Sequence, residues 1–251
     1  MSAPVLLSVS GLTKVFENED GRRVTALENL DLQVRRGEFL CLLGPTGCGK
    51  TTLLRLLAGL ETPTSGSISL HGTRGRNEMG FVFQQNALFP WRTVLSNVLF
   101  GLEVRGVPRA EAQRKAREYL ALVRLSGVER SWPYELSGGM QQRASIARAL
   151  APEPAVLLMD EPFGSLDERT RKALQDELLA LWRDRSLTVV FVTHNIEEAV
   201  ALGTRVVLLG MEPGRIVRTF DVPLEHPRDR LSPPFVELLL EVRRSFAELV
   251  S

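Results

Sequence analysis

Residues 44–51 combine glycines with a lysine and two threonines, in the order Gly-Pro-Thr-Gly-Cys-Gly-Lys-Thr. An apolar run precedes them at residues 39–43 and a leucine-rich run follows at residues 52–58, so the pattern predicts strand, turn and helix. Glycines allow the backbone amides of such a turn to face one anion, and the N-terminal dipole of the helix adds to the attraction. The stretch therefore predicts a loop that binds the phosphates of a nucleoside triphosphate.

The side chains and the amides of this loop have separate predicted roles. Lys50 can reach the β- and γ-phosphates, and the hydroxyl of Thr51 can bind Mg²⁺. The competing interpretation is a glycine turn before a core helix, which the strand–turn–helix context disfavours. The predicted nucleotide contacts of the loop are Gly44, Pro45, Thr46, Gly47, Cys48, Gly49, Lys50, Thr51 and Thr52.

Two adjacent acids follow another apolar run. Asp160 and Glu161 end the stretch at residues 156–161, so we expect them at the carboxyl end of a buried strand, where α/β sheets place their chemistry. Asp160 can position Mg²⁺, and Glu161 can polarise a water molecule for attack on a γ-phosphate. The alternative is a pair of helix-capping acids, and the phosphate loop upstream favours the catalytic interpretation.

Residues 136–143 read Leu-Ser-Gly-Gly-Met-Gln-Gln-Arg and open a predicted helix that ends at Leu150. The Ser-Gly-Gly sequence before this helix makes a second helix N-terminus that can bind an anion. One nucleotide needs one phosphate cradle. Two cradles in one chain therefore suggest that two chains share each nucleotide.

Over essentially its whole length, the sequence resembles the ATP-binding subunits of ABC transporters. Residues 44–51 match the Walker A motif of that family, residues 156–160 match its Walker B motif, and residues 136–143 match its signature motif. Residues 165–167, Ser-Leu-Asp, resemble its D-loop.

Three single residues extend the resemblance. Gln84 resembles the Q-loop glutamine of the family, and His194 resembles its switch histidine. Phe16 stands where the family stacks an aromatic ring on adenine, whereas its place at a predicted strand end also fits a simple cap on the sheet. The motifs follow one another in the family's order, which is far more specific than any single motif.

The resemblance implies an ATPase whose two copies form a head-to-tail homodimer around two ATP molecules. ATP is cleaved to ADP and phosphate, and this cycle opens and closes partner subunits. The implied Mg²⁺ ligands are Thr51, Gln84 and Asp160, and the implied catalytic residues are Glu161, His194 and Gln84. Across the dimer, the residues implied to bind ATP in trans are Ser137, Gly138, Gly139, Gln141 and Asp167.

The expected fold is α/β, with a RecA-like P-loop NTPase core, a mainly parallel sheet, an N-terminal antiparallel β arm and an inserted all-helical subdomain. Apolar runs that alternate with helical patterns agree with this class. We expect one ABC ATPase domain, residues 1–251. Its expected parts are a catalytic core with the β arm at 1–87 and 152–232, a helical subdomain at 88–151 and a C-terminal helix at 233–251.

Composition limits the partners. The net charge of +1 supplies no basic field for nucleic acid, and no apolar run is long enough to span a bilayer. We therefore expect no nucleic-acid partner, and any membrane-spanning part must come from other chains. The resemblance implies a peripheral protein at the cytoplasmic face of the inner membrane. The resemblance adds two transmembrane permease subunits and, indirectly, a solute-binding protein.

The cysteines Cys41 and Cys48 are too few for a disulfide framework or a metal site. We interpret them as reduced thiols of a cytosolic protein. Because Cys48 belongs to the loop itself, we expect its thiol to be exposed when no nucleotide is bound.

Three segments resemble importers of nitrate, sulfonate, taurine and related small anions, namely residues 88–91, 97–102 and 222–230. Within the first, Phe89, Pro90 and Trp91 would help to form the groove that receives a helix of the membrane subunit. The alternatives are an importer subunit for another solute and an exporter subunit. A soluble ABC ATPase acting on nucleic acid is disfavoured, because no long coiled coil separates the nucleotide motifs.

Overall fold

The computed structural model describes residues 3–17, 20–72, 78–85, 87–164 and 166–250. The chain divides into two compact units, one formed by residues 1–76 and 182–251 and the other by residues 77–181. Among the described residues, no helix has both the length and the apolar character needed to cross a membrane.

The strands are β1 (Val5–Glu17), β2 (Arg23–Arg35), β3 (Phe39–Leu43), β4 (Ser65–Leu70), β5 (Met79–Val82), β6 (Val156–Asp160), β7 (Thr188–Thr193), β8 (Arg205–Leu209) and β9 (Ile216–Asp221). The helices are α1 (Lys50–Ala58), α2 (Val94–Val104), α3 (Arg109–Leu122), α4 (Gly138–Leu150), α5 (Glu168–Arg185), α6 (Ile196–Leu202) and α7 (Pro233–Val250).

The first unit begins with an antiparallel β arm. β1 lies between β2 and β4 and pairs with both in antiparallel register, so that Val9 stands opposite Leu32 on one side and Ile68 on the other. The apolar side chains of Leu7 and Leu12 on β1 are fully buried. The predicted N-terminal antiparallel arm is thus confirmed.

Four neighbouring strands of the same unit follow the order β7-β3-β8-β9. β3 is parallel to β7 and to β8, whereas β9 runs antiparallel to β8. Every residue of β3 and β7 is buried, as their continuous apolar sequences predict for parallel strands covered on both faces. Leu43 pairs with Thr193, so the segments that follow β3 and β7 leave the sheet side by side.

The second unit combines two parallel strands with a group of helices. β5 pairs with β6 in parallel, with Val82 opposite Met159 at the carboxyl ends. α2, α3 and α4 pack on one another through buried apolar residues such as Val98, Leu120 and Ile146. The predicted helical insert is confirmed by these packed helices.

The segment 222–230 is held in the first unit by Arg228. Its guanidinium donates to the carbonyl oxygens of Val200 at 2.6 Å and Gly203 at 2.7 Å, at the end of α6. It also donates to the carbonyl of Leu224 at 2.9 Å. Burial lowers the pKa of Arg228 to about 10, so the group remains charged while it satisfies these carbonyls.

A second anchor of this segment is His226. Its ring packs edge-on against Trp182, with centroids 5.3 Å apart, and Trp182 Nε1 donates to the carbonyl of Gly37 at 3.0 Å. Burial, together with the charges of Arg228 and Arg183, lowers the pKa of His226 from 6.5 to about 4.

We expect His226 to make the free energy of unfolding depend on pH. The folded chain binds the His226 proton less readily than the unfolded chain, so this contribution is complete above pH 6.5 and is lost as the pH falls toward 4. Between pH 6.5 and pH 4 the unfolding free energy of the wild-type chain should fall by roughly 1–2 kcal/mol more than that of the variant His226→Gln, which has no imidazole to protonate. This value is discounted for the partial exposure of the ring. Urea unfolding at several pH values measures the two curves, and identical pH slopes would contradict this role.

Candidate functional site

The glycine-rich loop connects β3 to α1, as predicted. α1 begins directly after Gly49, whose φ of 93° lies in the left-handed region that favours glycine. A side chain there would also place its Cβ 2.6 Å from Leu27 Cδ2. Gly47 has a φ of 88°, and a Cβ at this residue would meet no atom within 4 Å. The loop is therefore a backbone cradle that is packed on one side and open on another.

Lys50 is buried within this loop. The residue is 6% exposed, and its Nζ donates to the carbonyl oxygens of Gly44 at 2.7 Å and Pro45 at 2.8 Å. Among the described residues Lys50 forms no ion pair, and its ammonium is surrounded by these two carbonyls and the Cys48 thiol. A buried ammonium group without a carboxylate is costly, and an anionic ligand would offset that cost.

The expectation that Cys48 is exposed is wrong. Cys48 is 1% exposed, and its Sγ lies 3.8 Å from Lys50 Nζ. The thiol fits because Gly44 has no side chain: a Cβ there would stand 2.6 Å from the sulfur. Burial raises the pKa of the Cys48 thiol, and the charge of Lys50 offsets only part of this effect. The thiol is thus a packing group of the loop.

His194 lies at the same edge of the sheet as the phosphate loop. It directly follows β7, whose last residue pairs with the last residue of β3, and it is exposed. The next residue, Asn195, caps α6 because its side chain accepts the backbone N–H of Glu198 at 3.1 Å. The structure therefore brings two predicted nucleotide contacts, the loop and His194, to one edge.

Phe16 lies at the end of β1 and is 36% exposed. The ammonium of Lys14 lies 4.6 Å from the centroid of its ring, and Lys14 also pairs with Glu61 at 3.0 Å. An exposed ring next to a cation suits stacking on a nucleotide base. Adenine stacking by Phe16 stays a prediction.

The second unit places the acid pair and Gln84 together. Asp160 ends β6 and is 4% exposed, and Glu161 follows it. Gln84 lies just beyond β5, the parallel neighbour of β6, and its Nε2 is 3.5 Å from Glu161 Oε2. Both segments leave the carboxyl ends of adjacent parallel strands, a proximity that the structure adds to the sequence prediction.

Glu161 has an unusual backbone conformation. Its φ is 41°, in the left-handed region that costs a non-glycine residue about 1 kcal/mol or more. A tight turn follows, closed by the hydrogen bond from Gly164 N–H to the Glu161 carbonyl at 3.2 Å. Strain of this kind clusters at functional sites, and nothing in the local sequence indicated it.

The signature residues form the N-terminus of α4. Ser137 is the cap, and its hydroxyl accepts the N–H of Met140 at 3.3 Å. A side chain at Gly138 would meet no atom within 4 Å, whereas one at Gly139 would stand 3.1 Å from Thr170 Cγ2. The side-chain amide of Gln141 instead donates to the carbonyls of Pro133 at 2.9 Å and residue 136 at 3.2 Å, which fixes the chain before the cap.

The structure covers only part of the predicted D-loop at residues 165–167, because Ser165 lies outside the described residues. Asp167 accepts the N–H of Thr170 at 3.0 Å, and this hydrogen bond lowers the pKa of the Asp167 carboxyl. Arg171 donates to the carbonyls of Phe163 at 3.3 Å and Leu166 at 2.8 Å, which holds the turn in place.

The donor groups fit ATP and Mg²⁺. A glycine cradle with a buried lysine suits phosphate oxygens. The Thr51 hydroxyl, the Gln84 amide oxygen and the Asp160 carboxylate are hard oxygen donors, which Mg²⁺ prefers. In the described part of the chain, no group of three or more His, Cys, Asp and Glu residues could hold a metal ion.

The aromatic segment at residues 88–91 forms a patch on the second unit, in which Trp91 is exposed, Phe89 is partly exposed and Leu88 is buried. Phe89 packs against Phe100 with ring centroids 4.9 Å apart and against Trp91 at 5.6 Å, and Trp91 is 70% exposed. Sequence reasoning missed Asn97, which is fully buried and clamps this segment. It accepts the N–H of Phe89 at 2.7 Å and donates to the carbonyls of Phe89 at 3.2 Å and Arg92 at 3.0 Å.

Several known proteins are similar over most of their length. An uncharacterized ABC transporter ATP-binding protein of Methanocaldococcus jannaschii is 52% identical, over 93% of this chain and 88% of its own. The aliphatic sulfonates import ATP-binding protein SsuB of Bacillus subtilis is 44% identical, over 96% of this chain and 94% of its own. The taurine import ATP-binding protein TauB of Roseobacter denitrificans is 44% identical, over 86% of this chain and 82% of its own.

Solved structures show the same fold. A bacterial ABC transporter cassette, solved as a dimer, matches with a TM-score of 0.77 and 32% identity, covering 88% of this chain and 100% of that chain. The same cassette in a dimeric post-hydrolysis state, bound to ADP and Pi, gives the same TM-score of 0.77. The family profile described as ABC transporter matches residues 27–164. The chain therefore belongs to the ABC transporter family.

Proposed function

We propose that the chain is the ATP-hydrolysing subunit of an ABC importer for a small anion, of the class that includes sulfonates, taurine and nitrate. One observation carries the ATPase part: the buried ammonium of Lys50 lies in a glycine cradle at the same sheet edge as His194. A phosphate chain supplies the negative charge that this ammonium otherwise lacks.

The solute class rests on the relatives. The named import subunits of Bacillus subtilis and Roseobacter denitrificans act, by their names, on aliphatic sulfonates and taurine. The membrane and solute-binding subunits contact the solute, whereas this chain supplies the energy. Co-purification of the assembled transporter, with mass spectrometry of the solute-binding protein that accompanies it, tests the class.

Hydrolysis needs an attacking water and a leaving group. The loop amides and Lys50 hold the phosphates, and Glu161 orients a water molecule and accepts its proton. The water oxygen forms a bond to the γ-phosphorus while the bond from that atom to the β–γ bridging oxygen breaks, which leaves ADP and phosphate. His194 contacts the γ-phosphate, and Gln84 links Glu161 to its neighbouring strand at 3.5 Å.

Mg²⁺ would be held by Thr51, Gln84 and Asp160, partly through water. When bound, the ion neutralises charge on the phosphate oxygens. The low exposure of Asp160, 4%, suits a carboxylate that shares a cation rather than one that is solvated alone.

The second half of each nucleotide site would come from another copy of the chain. A side chain at Gly138 would meet no atom within 4 Å, and the positive end of the α4 dipole would attract a phosphate there. The residues that would act across the dimer are Ser137, Gly138, Gly139, Gln141 and Asp167. The dimeric state of the related cassette supports this arrangement.

Permease subunits would dock on the aromatic patch of the second unit. Trp91 is exposed while the segment beneath it is clamped by Asn97, so the patch is rigid and apolar. Exposed aromatic side chains on a rigid base are typical of protein interfaces. The protein would thus lie peripherally at the cytoplasmic face of the membrane, attached to two permease subunits.

Glu161→Gln should lower ATP turnover by about 100-fold to 10,000-fold, because the amide cannot accept a proton from water. ATP binding should persist, so an ATP-bound dimer should accumulate. Phosphate release and analytical ultracentrifugation measure the two effects. Glu118→Gln, an exposed change on α3, is the control, and unchanged turnover in the Glu161 variant would remove Glu161 from the role of base.

Gly138→Asp should separate ATP binding from dimer formation. The new carboxylate fits sterically, but it places negative charge where a phosphate from the other chain would bind. We expect the monomer to bind ATP normally and ATP-dependent dimerisation to disappear. Ala110→Asp puts the same charge near the start of α3 as a matched control, and a normal dimer of the Gly138 variant would refute sharing of the nucleotide.

The double variant Phe89→Ala/Trp91→Ala should lose the permease subunits, because their apolar anchor is removed. Pull-down of the co-expressed transporter in detergent measures retention, and the basal ATPase rate reports on folding. Tyr134→Ala removes another aromatic residue, 75% exposed on the same unit, and should retain the complex. Retention by the double variant would exclude docking through this patch.

A further inference from the structure

We propose that Gly214, far from the phosphate loop in sequence, is a positioning residue that holds this loop in its binding shape. Gly214 lies in the turn between β8 and β9. A side chain at Gly214 would place its Cβ 2.3 Å from the carbonyl oxygen of Cys48. The end of β8 touches the other end of the loop, since a Cβ at Gly44 would stand 2.8 Å from the carbonyl oxygen of Leu209.

Gly214 has no room to retreat from the loop. Its N–H donates to the carbonyl of Ala26 at 3.1 Å, and its carbonyl accepts the N–H of Glu28 at 3.0 Å. Both partners belong to β2, so the turn is fastened to the β arm on both sides of the glycine. Any movement of Gly214 away from Cys48 would break these backbone hydrogen bonds.

β2 also contacts the loop itself. A side chain at Gly49 would place its Cβ 2.6 Å from Leu27 Cδ2 and 2.9 Å from the carbonyl oxygen of Ala26. The loop is therefore packed against two elements, β2 and the β8–β9 turn, which are themselves joined through Gly214. Lys50 holds the same loop from within, through the carbonyls of Gly44 and Pro45.

The contact explains why glycine is needed at residue 214. The φ of Gly214 is outside the left-handed region, so a positive φ is not the reason for glycine there. Its methyl group would instead meet Cys48 O at 2.3 Å and Ala26 O at 2.8 Å, which are backbone atoms that no side-chain rotation can move. The first distance is about 1 Å shorter than an ordinary contact, so the loop itself must shift.

A shift of Cys48 would change the shape of the proposed nucleotide site. The expected effect of Gly214 on ATP binding therefore rests on the proposed function. Cys48 directly precedes Gly49 and the first turn of α1, whose amides and lysine bind phosphate. Displacements of about 1 Å in such preorganised sites reduce binding or rate by up to about 100-fold.

The test compares Gly214→Ala with Gly210→Ala in the same turn. At Gly210 the new Cβ would meet Val217 Cγ2 at 2.7 Å, the end of a side chain that is 48% exposed and can rotate away. ATP affinity is measured with a fluorescent ATP analogue in EDTA, which prevents hydrolysis. We expect about tenfold weaker binding for Gly214→Ala and an unchanged affinity for Gly210→Ala. Equal affinities for the two variants would overturn the proposal.

Thiol labelling gives a readout that does not require ATP. Cys48 is 1% exposed and Cys41, in the centre of β3, is 0% exposed, so maleimide should label both slowly in the wild-type chain. Gly214→Ala should accelerate labelling of Cys48 alone, as mapped by mass spectrometry. Equal acceleration at both cysteines would show a general loss of folding and would overturn a local role for Gly214, as would no acceleration at all.

The two readouts separate this proposal from the proposed function. If the wild-type chain fails to bind ATP, the ATPase assignment fails, while selective labelling of Cys48 still supports the contact between Gly214 and the loop. If ATP binds to the wild-type chain and to Gly214→Ala equally well, the ATPase assignment stands and the positioning role falls.

Discussion

The constraint on which the nucleotide-binding unit depends is a buried ammonium group that hydrogen-bonds to two backbone carbonyls and a thiol. Lys50 is 6% exposed and donates to Gly44 and Pro45, without an ion pair among the described residues. Burial of an uncompensated charge is unfavourable, so the loop is most stable when an anion is bound. The surrounding structure must therefore keep the loop in a conformation that is ready for phosphate although no anion balances Lys50.

Rigid neighbours supply that support from outside the loop. β2 contacts Gly49, the end of β8 contacts Gly44, and the turn at Gly214 contacts Cys48. Each contact is close enough that only glycine fits, and the β8–β9 turn is bonded to β2 by backbone hydrogen bonds. A cradle that is formed before its ligand arrives loses less conformational entropy on binding, which favours affinity.

The second unit also contains a partly buried cation that hydrogen-bonds to a backbone carbonyl, namely Arg148. Arg148 on α4 donates to the carbonyl of Ala87 at 2.6 Å, and its guanidinium lies 5.5 Å from the centroid of the Phe89 ring. Burial lowers the pKa of Arg148, but hydrogen bonding and the aromatic face keep the charge satisfied. The signature helix and the aromatic patch are thus joined inside one unit, and Asn97 fixes the patch from its other side.

The sequence by itself determined the order of strands and helices, because continuous apolar runs and helical periodicity are local properties. It also predicted a phosphate loop after β3 and an acid pair at the end of β6, because glycine spacing and strand ends are read locally. Only the tertiary structure decided that Cys48 is buried, that Glu161 has a φ of 41° and that Gly214 touches the loop. These features depend on atoms that are distant in sequence and meet only after the strands have paired, so no local pattern encodes them.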